Sequence, residues 1–318
     1  MEIRLSRLGA AAVALAFLSA CGGGEPEGAA SGAAKLTGSI EIDGSSTVFP
    51  VAAAVAEEFQ IANPDTRVTV AYSGTGGGFQ RFCAGETDLS NASRPIRDSE
   101  AQACHDAGVE FTELNVGWDG LSVLANPENE FLQCLTVEEL NRIWEPNSTV
   151  VTWRDVRDEW PAEEIRLYGP GTDSGTFDYF TETINGEGGA SRADYQASED
   201  DNILVQGIAG DTYSLGYFGY AYYAENSDIL KLVAVDGGEG CILPSDATIQ
   251  DGSYAPLSRP LYVYVRHSAL TRPEVRAYVD FMLENAPAIV PSTGYSALST
   301  EQYAEQMQAI AEAAGGAD

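Results

Sequence analysis

Apolar residues recur with two different periods along this chain. Ile40 and Ile42 alternate with polar neighbours, as do Val68, Val70 and Tyr72, and short apolar runs at 121–124, 165–168, 215–218, 230–235 and 261–265 read as further strands. Between them the spacing turns helical. Val48, Val51, Ala52, Val55 and Phe59 share one face after Gly44-Ser45-Ser46-Thr47, and Phe79, Phe82 and Cys83 open a helix after the glycine run that ends at Gly78. Helices are also expected at 137–144, where Thr136 and Glu139 have capping-box spacing, at 273–285, and from Ser299, which stands in the same relation to Gln302. Strands alternating with helices and no internal repeat make this an α/β chain.

Charge narrows the function. Among the 318 residues, 17 Lys and Arg face 48 Asp and Glu, a net charge of −31. Binding to nucleic acid, or to anionic lipid through basic patches, is excluded, and any anion must be held by groups at contact distance. His105 and His267, the two histidines, lie in no metal-ligand spacing, so neither a histidine metal site nor a catalytic triad is expected, and no cofactor.

The first 20 residues read as a secretory leader: Arg4 and Arg7, then an apolar run too short to span a bilayer. Leu18-Ser19-Ala20-Cys21 resembles the bacterial lipobox, in which the cysteine after the cleaved leader is acylated, and residues 21–34 read as a flexible stalk. No later run is long enough to span. Export permits disulfides, and the remaining cysteines, Cys83, Cys104, Cys134 and Cys241, allow three pairings.

Three turns share a chemistry. Gly44-Ser45-Ser46-Thr47, Gly74-Thr75-Gly76-Gly77-Gly78 and Gly171-Thr172-Asp173-Ser174-Gly175-Thr176 each set glycines and hydroxyls immediately before a helical pattern. A helix start offers unpaired N–H groups and partial positive charge, and glycine lets a ligand approach the backbone. Converging, three such ends would cage an oxyanion. None has the Gly-Lys-Ser/Thr of a nucleotide loop or completes Gly-x-Gly-x-x-Gly.

With their flanks these turns form a specific pattern. Asp43-Gly44-Ser45-Ser46-Thr47-Val48-Phe49-Pro50, Ser73-Gly74-Thr75-Gly76-Gly77-Gly78-Phe79, Asp88-Leu89-Ser90-Asn91-Ala92-Ser93-Arg94 and Tyr168-Gly169-Pro170-Gly171-Thr172-Asp173-Ser174-Gly175-Thr176-Phe177 resemble, in order and spacing, the phosphate-binding receptor of the Pst-type ABC transporter. Leu257-Ser258-Arg259-Pro260-Leu261 belongs to the same resemblance, which spans about residues 36–303. It implies a type II periplasmic-binding-protein fold, two lobes joined by hinge strands, that closes over inorganic phosphate, delivers it to a membrane permease and performs no chemistry. The implied lobes are 35–120 plus 259–318, and 121–258. The chain is expected to work as a monomer, lipid-anchored outside the membrane through Cys21.

Carried over by position, the implied phosphate ligands are Thr75, Ser174, Gly175 and Thr176, with a first site within Ser46-Thr47-Val48. The best-known family form has an aspartate after Ala-Ser and an arginine four residues before Ser-Gly-Thr; here those positions hold Arg94 and Pro170. Arg94 is therefore the expected guanidinium. Asp119 is the expected acceptor of the phosphate proton, with Asp173 second; such a carboxylate disfavours sulfate, which has no proton to give. Cysteines bridged within lobes leave the lobes free to move, which favours Cys83–Cys104 and Cys134–Cys241. The tyrosines from Tyr213 to Tyr223 read as core packing of a strand and a buried helix, and Ser198-Glu199-Asp200-Asp201 as a solvated helix start. The alternatives are a hydrolase using Ser174, a sensor or adhesin that keeps the fold, and a receptor for sulfate, molybdate or arsenate.

Overall fold

The structure, a computed structural model, describes residues 35–172 and 174–315. The leader, the stalk, Cys21 and Asp173 lie outside the described residues. Met1–Lys35 is one unit and Leu36–Asp318 the other, and every strand and helix among the described residues belongs to the second.

The chain opens with β1 (Gly38–Gly44), α1 (Phe49–Ala62), β2 (Thr66–Val70), α2 (Gly74–Cys83), β3 (Leu89–Ala92) and α3 (Asp98–Asp106), and then enters the long β4 (Phe111–Ala125). Next come β5 (Cys134–Thr136), α4 (Val137–Trp144), α5 (Trp153–Val156), β6 (Arg166–Pro170), α6 (Gly175–Asn185), β7 (Gln196–Ser198) and α7 (Asp201–Ala209). They are followed by β8 (Ser214–Gly219), α8 (Tyr220–Glu225), β9 (Lys231–Asp236), β10 (Cys241–Ile242) and α9 (Asp246–Gln250). The chain returns through β11 (Ser258–Arg266) and finishes with α10 (His267–Leu270), α11 (Pro273–Ser292) and α12 (Thr300–Gly315).

The strands hydrogen-bond in the order β2-β1-β3-β11-β4-β8-β6-β7, with β9 joined to β4 and carrying β5 and β10. β1 is parallel to β2 and β3, while β11 runs antiparallel to β3 and β4. Two cores divide this curled sheet. Ile40, Phe59, Leu114, Val116, Val263 and Tyr278 belong to one; Leu121, Trp144, Phe180, Tyr217, Val235 and Tyr254 belong to the other. Each fully buried side chain of this size contributes about 1.5–3 kcal/mol, so each lobe has its own source of stability. β4 leaves the first core after Val116 and enters the second at Leu121, pairing with β11 on one side of that point and with β8 beyond it. Among the described residues, β4 and the approach to β11 join the two cores at the sheet.

Local signals explain many boundaries. Thr136 accepts from the Glu139 N–H at 3.2 Å while Glu139 accepts from the Thr136 N–H at 2.9 Å, closing the expected box. Ser299 and Gln302 exchange the same two bonds at 3.0 and 3.2 Å. Four expectations need correction. α2 begins at Gly74, so the glycine run is the helix's first turns rather than a loop before it. α11 runs on to Ser292 through Pro287 and Pro291, because burial of Ala286 and Val290 in the first core outweighs the hydrogen bonds that proline removes. α8 buries none of its residues fully: Tyr217 and Phe218 are core, while Tyr213, Tyr220 and Tyr223 pack against it only partly buried. At the acidic run, Asp200 caps α7 by accepting from the Asn202 N–H at 3.0 Å, but the next residue, Asp201, is half-buried rather than solvated.

Cys83 pairs with Cys104 and Cys134 with Cys241, closing loops with sequence separations of 21 and 107. Chain entropy makes these worth about 3 and about 5 kcal/mol. Replacing both cysteines of the longer loop by serine is expected to lower the urea midpoint more than the same change at Cys83 and Cys104; equal midpoints would refute the pairing's role. Burial, then Asp200 and Glu199, push the Asp201 carboxyl up to about 6. Its charge thus weighs against the fold above that pH, and the penalty fades as pH falls from there towards the ordinary range near ~4. Asp201→Asn, discounted for partial exposure, should stabilise the protein by about 1 kcal/mol at high pH and not at low pH, as read by denaturant melts at each.

Candidate functional site

A cavity of about 810 Å³ opens between the two cores. Its first wall is the turn Ser45-Ser46-Thr47, the start of α2 at Gly74-Thr75-Gly76, and Ser93, Arg94 and Arg97. Its second is the α6 face with Asp178, Tyr179, Glu182 and Thr183, and Arg259 of β11 lies between the walls.

The helix starts are held close by glycines. Gly44 ends β1 at φ +142°, where a Cβ would stand 2.0 Å from the Asn91 carbonyl oxygen, and Gly78 in α2 would place a Cβ 2.5 Å from the Gly44 Cα. Only hydrogen at both positions lets α2 lie on the end of β1. Thr75 then sits in the first turn of α2, its hydroxyl 3.3 Å from the Ser93 hydroxyl and accepting from the Ser93 N–H at 3.3 Å. α6 begins against the first turn, since a Cβ on Gly175 would lie 3.7 Å from the Thr47 Cα. Ser174 caps that helix by accepting from the Thr176 N–H at 3.2 Å.

The sequence-derived residues therefore divide. Ser46, Thr47, Thr75 and Arg94 line the cavity. Val48 is fully buried in the first core and can offer only backbone at the start of α1. Ser174, Gly175 and Thr176 stand at the α6 start and do not line the cavity, Gly175 lying against Thr47. Arg94 is in place, but both its terminal nitrogens meet Glu100, at 2.8 and 2.7 Å, and Glu100 also accepts from the Arg97 N–H at the start of α3. Hydrogen bonding to Arg94 is the main force that holds the Glu100 carboxyl low.

Asp119, expected to face the anion, does not line the cavity. It lies 3% exposed behind Arg259, whose Nε and Nη2 donate to its Oδ2 at 3.1 and 3.0 Å. Burial pushes its carboxyl up and Arg259 pulls it down. Among the cavity carboxylates, Asp178 is pushed up by burial and by Glu182, against the pull of Arg259. Ser93, Asp178, Tyr179, Glu182 and Arg259 were not selected from the sequence. Arg259 carried one usable signal, its place in the family-like stretch Leu257-Ser258-Arg259-Pro260-Leu261 of a chain with 17 basic residues. His105 and His267 line a different cavity and reach no group of this one.

Two lobes on shared strands with helix starts lining the cleft define a solute-binding protein. Residues 29–286 match the profile of the PBP superfamily domain. The chain is 50% identical over 268 residues to Protein SphX of Synechocystis, covering 83% of this chain and 80% of that one. It is 39% identical over 298 residues to the phosphate-binding protein PstS of Staphylococcus saprophyticus, covering 92% and 90%. The crystal structure of a possible phosphate binding protein from Planctomyces limnophilus matches with a TM-score of 0.83 at 48% identity, over 87% of this chain and 99% of that chain. The chain belongs to the PstS family, a family of transport receptors and not of enzymes.

Gly78→Ala tests the close approach of α2. Overpacking of this kind costs about 1–3 kcal/mol and would shift Thr75 away from Ser93. Lower stability in urea is the expected result, and unchanged stability would show that the contact yields freely.

Proposed function

We propose that the cleft captures inorganic phosphate and that the protein hands it to the membrane subunits of an ABC transporter. The observation that carries this reading is that the turn before α1 and the start of α2 line one cleft, with the start of α6 against that turn at Thr47, in a chain of net charge −31. A field of that sign repels a dianion at long range, and salt screens it within about 8 to 10 Å, so capture depends on dipoles at contact distance. The names of the relatives support the choice of phosphate among oxyanions.

In this reading Ser46, Thr47 and Thr75 supply hydroxyl donors, the α1 start at Val48 supplies backbone N–H, and Ser174, Gly175 and Thr176 join as the lobes close. Only the closed state satisfies all of these donors on one anion, so phosphate stabilises closure. Arg94 contributes charge from the wall, with its fork shared with Glu100. Asp178 takes the role first given to Asp119, because it is a carboxylate on the cavity and accepts the proton of HPO₄²⁻, which sulfate lacks. The moving bodies are residues 35–120 with 259–318, and 121–258. Cleavage before Cys21 and its acylation would tether a monomer outside the membrane, with 21–34 as the stalk. Among the described residues no helix is long and apolar enough to cross a membrane.

Calorimetric titration of the anion-stripped protein with phosphate, sulfate and arsenate is the test. Phosphate is expected to bind below about 1 µM and sulfate not at all. Hydrogen bonds to a charged partner are worth about 1.5–3 kcal/mol, so Thr75→Ala and Arg94→Ala should each weaken phosphate binding more than about tenfold. Sulfate binding equal to phosphate would remove the proton-acceptor role, and silence towards all three anions would refute the receptor reading.

A further inference from the structure

We infer that Arg259 couples the anion to the hinge: one guanidinium orders the Thr47 hydroxyl, contacts the anion and ties both lobes to the crossing strands. The inference rests on the phosphate reading above and adds a residue and a coupling that it does not contain.

Arg259 lies opposite Asp119 in the β11–β4 register, next to the point where β4 passes from one core to the other. Its contacts go three ways. Nε and Nη2 meet the Asp119 Oδ2 at 3.1 and 3.0 Å; Nη2 also donates to the Thr47 hydroxyl at 2.9 Å; and the guanidinium carbon stands 3.6 Å from the centroid of the Tyr179 ring. Thr47 belongs to the turn of the first lobe and Tyr179 to α6 of the second. Both are held in turn, since the Tyr295 hydroxyl donates to the Thr47 carbonyl at 2.8 Å and the Tyr179 hydroxyl to the Pro256 carbonyl at 2.8 Å.

The chemistry follows from the inventory of donors. A threonine hydroxyl has one hydrogen to give and lone pairs to accept. With a lone pair of Thr47 taken by Arg259, its hydrogen is the part left for an anion in the cavity. Among the described residues no hydrogen bond engages the Arg259 Nη1, and the side chain lines the cavity, so the guanidinium keeps a donor edge for the same anion. Arg94 has less to give: both Nη1 hydrogens go to Glu100 and the Pro95 carbonyl and one Nη2 hydrogen goes to Glu100, which leaves the second Nη2 hydrogen and Nε. Asp119 then becomes a positioning residue: buried and fixed on the neighbouring strand, it balances the guanidinium before an anion arrives and sets its plane. A lysine would carry the charge but could not serve Asp119, Thr47, the Tyr179 ring and an anion at once.

The test uses the full chain stripped of anion, titrated with inorganic phosphate, with small-angle scattering before and after saturation. Losing a partner of a buried charge pair implies that Arg259→Gln binds phosphate more than about a hundredfold more weakly, and Arg259→Lys more than about tenfold more weakly. Arg259→Gln should also lose the phosphate-induced contraction, and its deficit should be greater above the second ionisation of phosphate than below it, which a merely structural residue would not produce. If Arg259→Gln fails to fold, Arg259→Lys carries the test. A folded variant that binds as tightly as the parent and contracts like it overturns the inference, as does failure of both variants to fold. A parent that binds no phosphate overturns the phosphate reading, whereas a parent that binds with unaffected variants overturns only the role of Arg259.

Discussion

The architecture depends on the antiparallel pairing of β4 with β11. The ladder runs from Phe111 opposite Arg266 to Gly120 opposite Ser258, and both strands leave the first core at its end. Because backbone hydrogen bonds fix the register, they also fix Asp119 opposite Arg259, so an ion pair stands where the two lobes join. Everything that faces the cleft is placed relative to this crossing: the β1–α1 turn and α2 through β3 and β11, and α6 through β6, β8 and the continuation of β4. A slip of one residue would put Asp119 and Arg259 on opposite faces of the sheet.

Electrostatics impose the second constraint. An acidic chain receives an anion only where donors touch it, because a charge moved out of water must be met at hydrogen-bond distance. Gly44 and Gly78 remove the side chains that would keep α2 off β1, and Gly175 lets α6 start against Thr47. Two of the three arginines that line the cavity are paired nearby. Arg94 is balanced by Glu100 and Arg259 by Asp119, so the protein holds these guanidinium groups without an unmatched buried charge.

The lobes are stabilised differently around this shared frame. Aliphatic residues of α1 and α11 fill the first, with Phe59 edge-on to Tyr278 at 5.3 Å. Aromatic residues carry the second, where Phe180 of α6 stacks on Tyr217 at 3.7 Å and Trp144 meets both. α6 is thus anchored in an aromatic core while its start lies against the turn at Thr47.

Local chemistry was legible in the sequence: the α/β order, the capping boxes at Thr136 and Ser299, and the glycine–hydroxyl turns. Those features depend on neighbours a few residues apart, and their periods and caps act before any tertiary contact forms. Separations of 140 and 212 residues lie between Arg259 and its partners Asp119 and Thr47, and no local spacing announces such contacts. Likewise Asp119 read as the acceptor of the phosphate proton until the β4–β11 register buried it behind Arg259, and Arg94 read as the anion's guanidinium until the start of α3 brought Glu100 against it. The sequence by itself determined which segments could offer N–H groups and hydroxyls to an anion. Only the tertiary structure decided which charges balance one another in the cleft, because charge pairing depends on distance in space and on burial, and both are set by strand register.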